Sequence, residues 1–378
     1  MTTSSHQLAD PFAVNLAACR GRQQRLIVRM VELRVDLAVL TSRESVQWLT
    51  GAFVKAPFEP VVAVSADGHV LLIVPERQLK QPAAADERLG YEAKWHSTTR
   101  DDQRAASSVA LQAALQKVPK RVAIEFATFG PHLSFLLSGA AEPIDIGPTI
   151  FQLRRKKDPD ELAMLRRANE ANHAMYEAGR RIISPGVNEL DVYNELQTVA
   201  VRTLGEALTY LGQDFQSNAR GGLPRNRTAE FGELYILDLG IGFRGYYSDN
   251  ARTIAVGGAP TEAQQRAWKA VVDVFPMVEQ MMRPGVSCRE LFEMVQKDLD
   301  KNLPWIFNSH LGHGVGLAPQ EGPHLNPFWD DTLEAGDYLA VEPGLYHEDL
   351  RSGLRLEQNY LVTESGVELQ TPWPLELC

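Results

Sequence analysis

Several things are scarce in this sequence, and each shortage removes a class of function. Cysteine occurs only as Cys19, Cys288 and Cys378, odd in number and far apart, with neither disulfide-framework nor metal-ligand spacing. A reducing compartment is expected. No basic block stands out: Lys plus Arg is 38 and Asp plus Glu is 48, so 38 − 48 = −10, which argues against a nucleic-acid partner. No apolar run reaches the ~18 residues of a membrane span, and MTTSSHQLADPF has neither the basic start nor the apolar centre of a secretory signal. The expectation is a soluble, cytoplasmic protein without membrane contact.

What is present fills two domains. Before residue 154, "VDLAVL", "PVVAVSADGHVLLIV" and "RVAIEF" are short Val/Ile-rich runs separated by helical stretches such as Arg22 to Leu33 and Ala105 to Lys117, the alternation of a small α/β domain. At 154 the chain changes character. "RRKKDPDELAMLRRANEANHAMYEAGRRI" opens with Asp158 as N-cap, Pro159 at the first helical position and Glu161 at the third, which predicts a long helix. Domains of 1–153 and 154–378 follow. In the second, "SPGVNELDVYNEL" from Ser184 returns as "RPGVSCRELFEMV" from Arg283, with the prolines 284 − 185 = 99 residues apart, so two similar α+β halves are expected.

Acids appear where strands should be apolar. "ELYILDLGIGFRGYYSDNARTIAV" reads as two strands around a turn, and the midpoint of Asp238 and Asp249 is 243.5, which would set them roughly 5 Å apart across a hairpin. "DYLAVEPGLYHEDLRSGLRLEQNYLV" repeats the pattern, with Glu342 and Glu357 centred on 349.5. One such pair could be a shared-proton dyad or a salt-bridged structural site. Two inward-facing pairs would cost several kcal/mol per uncompensated charge. With His313, set between Gly312 and Gly314 on a backbone bare enough to approach a ligand, they form an oxygen-rich set suited to manganese, cobalt, iron or zinc. Four carboxylates balance two dications with a bridging hydroxide in excess, and such a centre favours hydrolysis.

These residues resemble the pita-bread metallohydrolases, the family of aminopeptidase P, prolidase, methionine aminopeptidase and creatinase. "LDLG" at Asp238, "GYYSDNART" at Asp249, "HGVGL" at His313, "VEPGLY" at Glu342 and "LRLEQNYLVTESG" at Glu357 are similar to its five motifs, in order, over about 154 to 371. "SVQWLTGAF" at 45 to 53 is similar to the N-terminal domain of the creatinase, prolidase and aminopeptidase P branch. The resemblance implies an α+β protein: a creatinase-like α/β domain, then a pseudo-twofold pita-bread domain with a dinuclear site. It implies Asp238, Asp249, His313, Glu342 and Glu357 as metal ligands, Glu342 as proton shuttle and Arg355 as a supporting group. Two divalent ions, manganese first, then cobalt, zinc or iron, would serve an Xaa-Pro dipeptidase or aminopeptidase cleaving a small peptide or small amide. A homodimer is also implied.

The chain departs from that pattern at four positions. Proline-specific members carry a histidine seven residues after the metal histidine, where this sequence has Gln320, and another about 17 residues before the first metal aspartate, where it has Gly221. Ala251 replaces a threonine and Gln358 an aspartate beside ligands. Gln320 can still donate a neutral hydrogen bond to an oxyanion. His310 and His324 are candidates for the lost imidazoles in substrate binding, against the plainer reading of loop histidines. Arg220, Arg225 and Arg227 could clasp an acidic substrate group or simply be solvated. The alternatives are a non-peptide C–N hydrolase or lyase of the creatinase kind, or a homologue with weak or lost activity.

Overall fold

The structure, a computed structural model, describes residues 10–138, 143–307 and 310–377; Cys378 and most of the N-terminal stretch lie outside them. Two compact units divide it, residues 1–154 and 155–378. Among the described residues no helix is long and apolar enough to cross a membrane.

The first unit is built on a six-stranded sheet. In spatial order its strands are Glu87–Tyr91, Val70–Pro75, Val61–Ser65, Leu37–Leu40, Val122–Ile124 and Ile144–Asp145. Leu37–Leu40 pairs antiparallel with Val61–Ser65 and parallel with Val122–Ile124. Every residue of Leu37–Leu40 and Val70–Pro75 is buried, which is why these strands are continuously apolar and do not alternate. Leu37, Val39, Val61, Ala63, Leu71 and Ile73 form one core with Leu111 of the helix Gln103–Ala114.

The second unit opens on the helix Pro159–Ile182, capped by a reciprocal box between Asp158 and Glu161 with Pro159 in the first turn. The helix Glu189–Leu204 follows, and then the strands Tyr210–Ser217, Leu234–Phe243 and Asn250–Ala255. The plan then recurs: helices Glu262–Val272, Val274–Met281 and Cys288–Leu299 precede the strands Gly312–Gly314, Tyr338–Val341 and Gln358–Val362. In both triplets the middle strand of the sequence is central and antiparallel to both neighbours.

The repeated Pro-Gly-Val turns are equivalent down to their hydrogen bonds. Gly186 and Gly285 both take positive φ, 92° and 90°, a conformation that favours glycine. Gly186 N donates to Ala229 O at 2.8 Å and Gly285 N to Leu333 O at 2.9 Å, while Ala229 N and Leu333 N return bonds to Val187 O and Val286 O, both at 2.9 Å. Each turn thus ties the start of a helix to the approach of a central strand. Leu234, Val271, Phe275, Val278, Leu291, Val295, Leu339, Val341 and Tyr360 share one buried core.

Candidate metal centre

All ten residues of Leu234–Phe243 are buried, so its aspartate is carried inside by the strand itself. The hairpin turns at Arg244 and Gly245, with φ of 49° and 90°, and the ladder pairs Phe243 with Tyr246 and Asp238 with Ala251. The expected opposition of Asp238 and Asp249 is therefore shifted. Two consecutive left-handed residues make the tight hairpin turn that suits strand twist, one residue later than the midpoint argument placed it. Asp249 stands diagonal to Asp238 on the same face, and the two still converge. Ligand-type oxygens of Asp238, Asp249 and Glu357 all lie within 4.8 Å of one another.

Glu342 and Glu357 do face each other. The flanking pairs Val341–Gln358 and Gly344–Arg355 keep one register across them. His313 joins from the strand Gly312–Gly314, its Nε2 at 3.3 Å from Glu342 Oε1 and 3.6 Å from Asp249 Oδ2. The bare backbone around it has a different cause from the one expected. A Cβ on Gly312, at φ 154°, would overlap the carbonyl of Ala340, and one on Gly314 that of Gly322. The glycines admit neighbouring strands, not a ligand. His313 Nδ1 lies 3.0 Å from Gly314 O, a pure acceptor, so Nδ1 carries hydrogen and Nε2 is the nitrogen turned to the carboxylates, where a cation would take the place of its proton.

The electrostatics are those of a site made for cations. Burial raises Asp238 to about 6, against the pull of Arg355, and raises Asp249 and Glu357 well above the usual carboxylate range, with neighbouring acids adding to the effect. Burial also opposes ionisation of Glu342, but the hydrogen bond and charge of His313 prevail and hold it at about 2. The same contact overcomes burial to lift His313 to about 9. Asp238 Oδ1 is buried without a hydrogen-bond partner. Four buried carboxylates, one of them with an orphaned oxygen, and one imidazole fit a hard divalent cation, which would satisfy by coordination what the protein leaves unpaired.

Arg355 is the cation already present. Its Nη2 contacts Asp238 Oδ2 at 2.7 Å and also bonds Asp214 Oδ2, while Nη1 donates to Tyr346 Oη at 3.0 Å. Asp214, Gln213 and Asn359 were not singled out in the sequence. Gln213 donates to Asp249 Oδ1 at 2.9 Å, and Asn359 to Asp249 O at 2.8 Å and Glu357 Oε1 at 3.3 Å. The signal for Asp214 was an acid within a strand-like run, "YLGQDFQS", with no motif around it.

The remaining candidates divide. His310 reaches the centre, its Nδ1 at 3.6 Å from Glu342 Oε1 and its ring stacked on His313 with centroids 6.1 Å apart. His324 is cross-strand neighbour to His313, but its Nδ1 pairs with Asp331 Oδ2 at 3.0 Å and its ring stacks on Trp329. Gln320 is exposed beyond the turn. Gly221 takes φ 147°, and a Cβ there would overlap the Asp214 carboxylate. Arg225 is bound to Glu189 at 2.6 Å and Arg227 to Glu233 at 2.5 Å, so neither is a free clasp; Arg220 lies over the Tyr346 ring, 5.3 Å from its centroid. Gln358 Oε1 accepts from Thr371 Oγ1 at 2.9 Å.

Known protein families match both units of the chain. Residues 163–364 match metallopeptidase family M24, and residues 22–156 match the creatinase/prolidase N-terminal domain. An uncharacterized peptidase of Staphylococcus aureus (strain USA300) is 31% identical over 232 residues, 60% of this chain. The chain spans 65% of that relative's length. An uncharacterized peptidase of Bacillus subtilis (strain 168) is 28% identical over 256 residues, 66% of this chain and 72% of its own. The fold is that of solved prolidases. The prolidase from Pyrococcus horikoshii superposes with TM-score 0.80 at 22% identity over 95% of this chain and 100% of its own. The Xaa-Pro dipeptidase from Bacillus anthracis gives 0.80 at 24%, over 95% and 99%.

Proposed function

The chain belongs to metallopeptidase family M24 and carries a creatinase/prolidase N-terminal domain, and from that premise we propose that it is a two-metal hydrolase cleaving the amide bond of a small peptide. The observation that carries this reading is the convergence of Asp238, Asp249, His313, Glu342 and Glu357 in one buried cluster with an unsatisfied aspartate oxygen. Those five side chains would hold the ions, manganese in first place. Two divalent ions there supply a water of lowered pKa and a polarised substrate carbonyl.

The chain's own groups do the rest. Glu342 Oε1 faces both His313 and His310, so a proton taken up at that oxygen has an imidazole 3.6 Å away through which to move on toward a leaving nitrogen. Arg355 holds one oxygen of Asp238 and leaves the other without a hydrogen bond, where it would be available to a cation. The ligands are all at least nine-tenths buried, which excludes bulk water from the charges they hold. Substrate contacts fall to His310 and, farther out, His324 and Gln320. Cys19 and Cys288 are buried and, among the described residues, form no disulfide, which supports a reducing cytoplasm, and the family resemblance supports a homodimer.

Gln320 and Gly221 favour a second reading, in which the substrate is a related small non-peptide C–N compound. Gln320 carries a neutral amide and Asp214 crowds the side of Gly221, so neither residue supplies an imidazole to a prolyl carbonyl. A panel of Xaa-Pro peptides, other dipeptides and small amides, assayed with manganese, cobalt and zinc, decides between them. Metal-dependent turnover of a dipeptide is expected, with Xaa-Pro members slow. Turnover of small amides alone would favour the second reading, and no turnover of any would overturn both.

A further inference from the structure

Asp238 has two neighbours across the sheet. On one side the ladder sets Ala251 against it, a methyl group with no hydrogen bond to give; on the other it sets Asp214. Two acids directly opposed on adjacent strands repel. Here they are bridged, because Arg355 Nη2 bonds Asp214 Oδ2 while contacting Asp238 Oδ2 at 2.7 Å. Nη1 is fixed as well, to Tyr346 Oη at 3.0 Å and Arg220 O at 3.3 Å. Asp214 is anchored in turn by Gly222 N, which donates to its Oδ1 at 2.6 Å. The absence of a side chain at Gly221 leaves the room this carboxylate occupies.

Resting on the reading of this cluster as a metal centre, we infer that Asp214 is a positioning residue: it holds Arg355 against one oxygen of Asp238 and offsets its charge, so that Asp238 keeps the other oxygen and its negative charge for a cation. Asp214 and Arg355 cancel, leaving four ligand carboxylates for two dications. Without Asp214 the guanidinium would be balanced only by ligands, Asp238 at 2.7 Å and Glu342 Oε2 at 3.9 Å from Nε. It would then compete with the ions for their own ligands. Arg355 is nearly buried, so solvent does little to screen that competition.

Calorimetric titration of manganese and cobalt into metal-free protein tests this with wild type, Asp214→Asn, Asp214→Glu, Arg355→Gln and the Asp214→Asn/Arg355→Gln double variant. Loss of a group that orients a metal ligand typically weakens metal binding about 10- to 100-fold. Asp214→Asn is expected to fall in that range with wild-type stoichiometry. In the Arg355→Gln background the same change should add less than about threefold, since nothing is left for Asp214 to hold. Asp214→Glu, which keeps the charge, should stay within about threefold of wild type, and it carries the test if Asp214→Asn does not fold. Unchanged affinity in Asp214→Asn, a tenfold loss in Asp214→Glu, or an equal loss with and without Arg355 overturns the inference. Loss of one ion per chain would make Asp214 a ligand instead and overturns it too. Wild-type protein that binds no metal removes the underlying reading, a result distinct from all of these.

Discussion

Metal-free protein should lose stability as pH rises from 5 to 8, and divalent metal should restore it. Burial raises Asp238 from 3.8 to about 6 and raises Asp249 and Glu357 further in the same direction. A carboxyl group whose folded pKa lies above its unfolded value stabilises the fold below the unfolded pKa, and that contribution is lost as pH climbs through the folded one. For Asp238 this loss is spread between pH 3.8 and about 6, and the part above pH 5, 6 − 5 = 1 pH unit, corresponds to about 1.4 kcal/mol at ~1.36 kcal/mol per unit. Asp249 and Glu357 add to the loss. Glu342 works the other way, but its lowered pKa acts between 4.5 and about 2, below the window. His313, raised from 6.5 to about 9, reinforces the loss at the alkaline end. With ~2–4 °C per kcal/mol for a domain of this size, the melting midpoint should fall by at least about 3–6 °C between pH 5 and 8 in a chelator. Calorimetric scans with and without manganese measure it directly. A midpoint that is flat or rises over that window, or that manganese at pH 8 leaves unmoved, would refute the reasoning.

Other outcomes follow from single side chains. Asp249→Ala or Glu357→Ala should abolish binding of at least one ion, read by elemental analysis of purified variants. Gln320→His should raise kcat/KM on an Xaa-Pro peptide about tenfold or more, roughly 1.4 kcal/mol off the barrier, and a lower value would mean that the glutamine belongs to a different working mechanism. Gly221→His should give no such gain and should lower the melting temperature, because its Cβ would overlap Asp214 from a left-handed backbone. Gly312→Ala should destabilise by several kcal/mol in urea titration, since the overlap is with the main-chain carbonyl of Ala340, which cannot swing aside.

The parts legible in the sequence were those set by local rules. The Asp158–Glu161 box starts its helix because caps depend only on nearby residues, and the opposition of Glu342 and Glu357 survives because no residue interrupts their register. The Asp238 hairpin was displaced because Arg244 takes a left-handed conformation that residue type alone does not announce. Gly312 and Gly314 were read as room for a ligand, whereas strand neighbours far along the chain, Ala340 and Gly322, occupy that room. Asp214 was invisible for the same reason. Its meaning depends on Arg355, 355 − 214 = 141 residues away, and no periodicity or motif connects the two.

We propose that five buried side chains of this chain form a centre for two divalent ions. Titration of manganese into chelator-treated wild-type protein, with elemental analysis of the saturated sample, tests it most directly. The account predicts two ions per chain bound well below millimolar, with binding lost or halved in Asp249→Ala. Failure of manganese, cobalt and zinc alike to bind the wild type tighter than millimolar would contradict it.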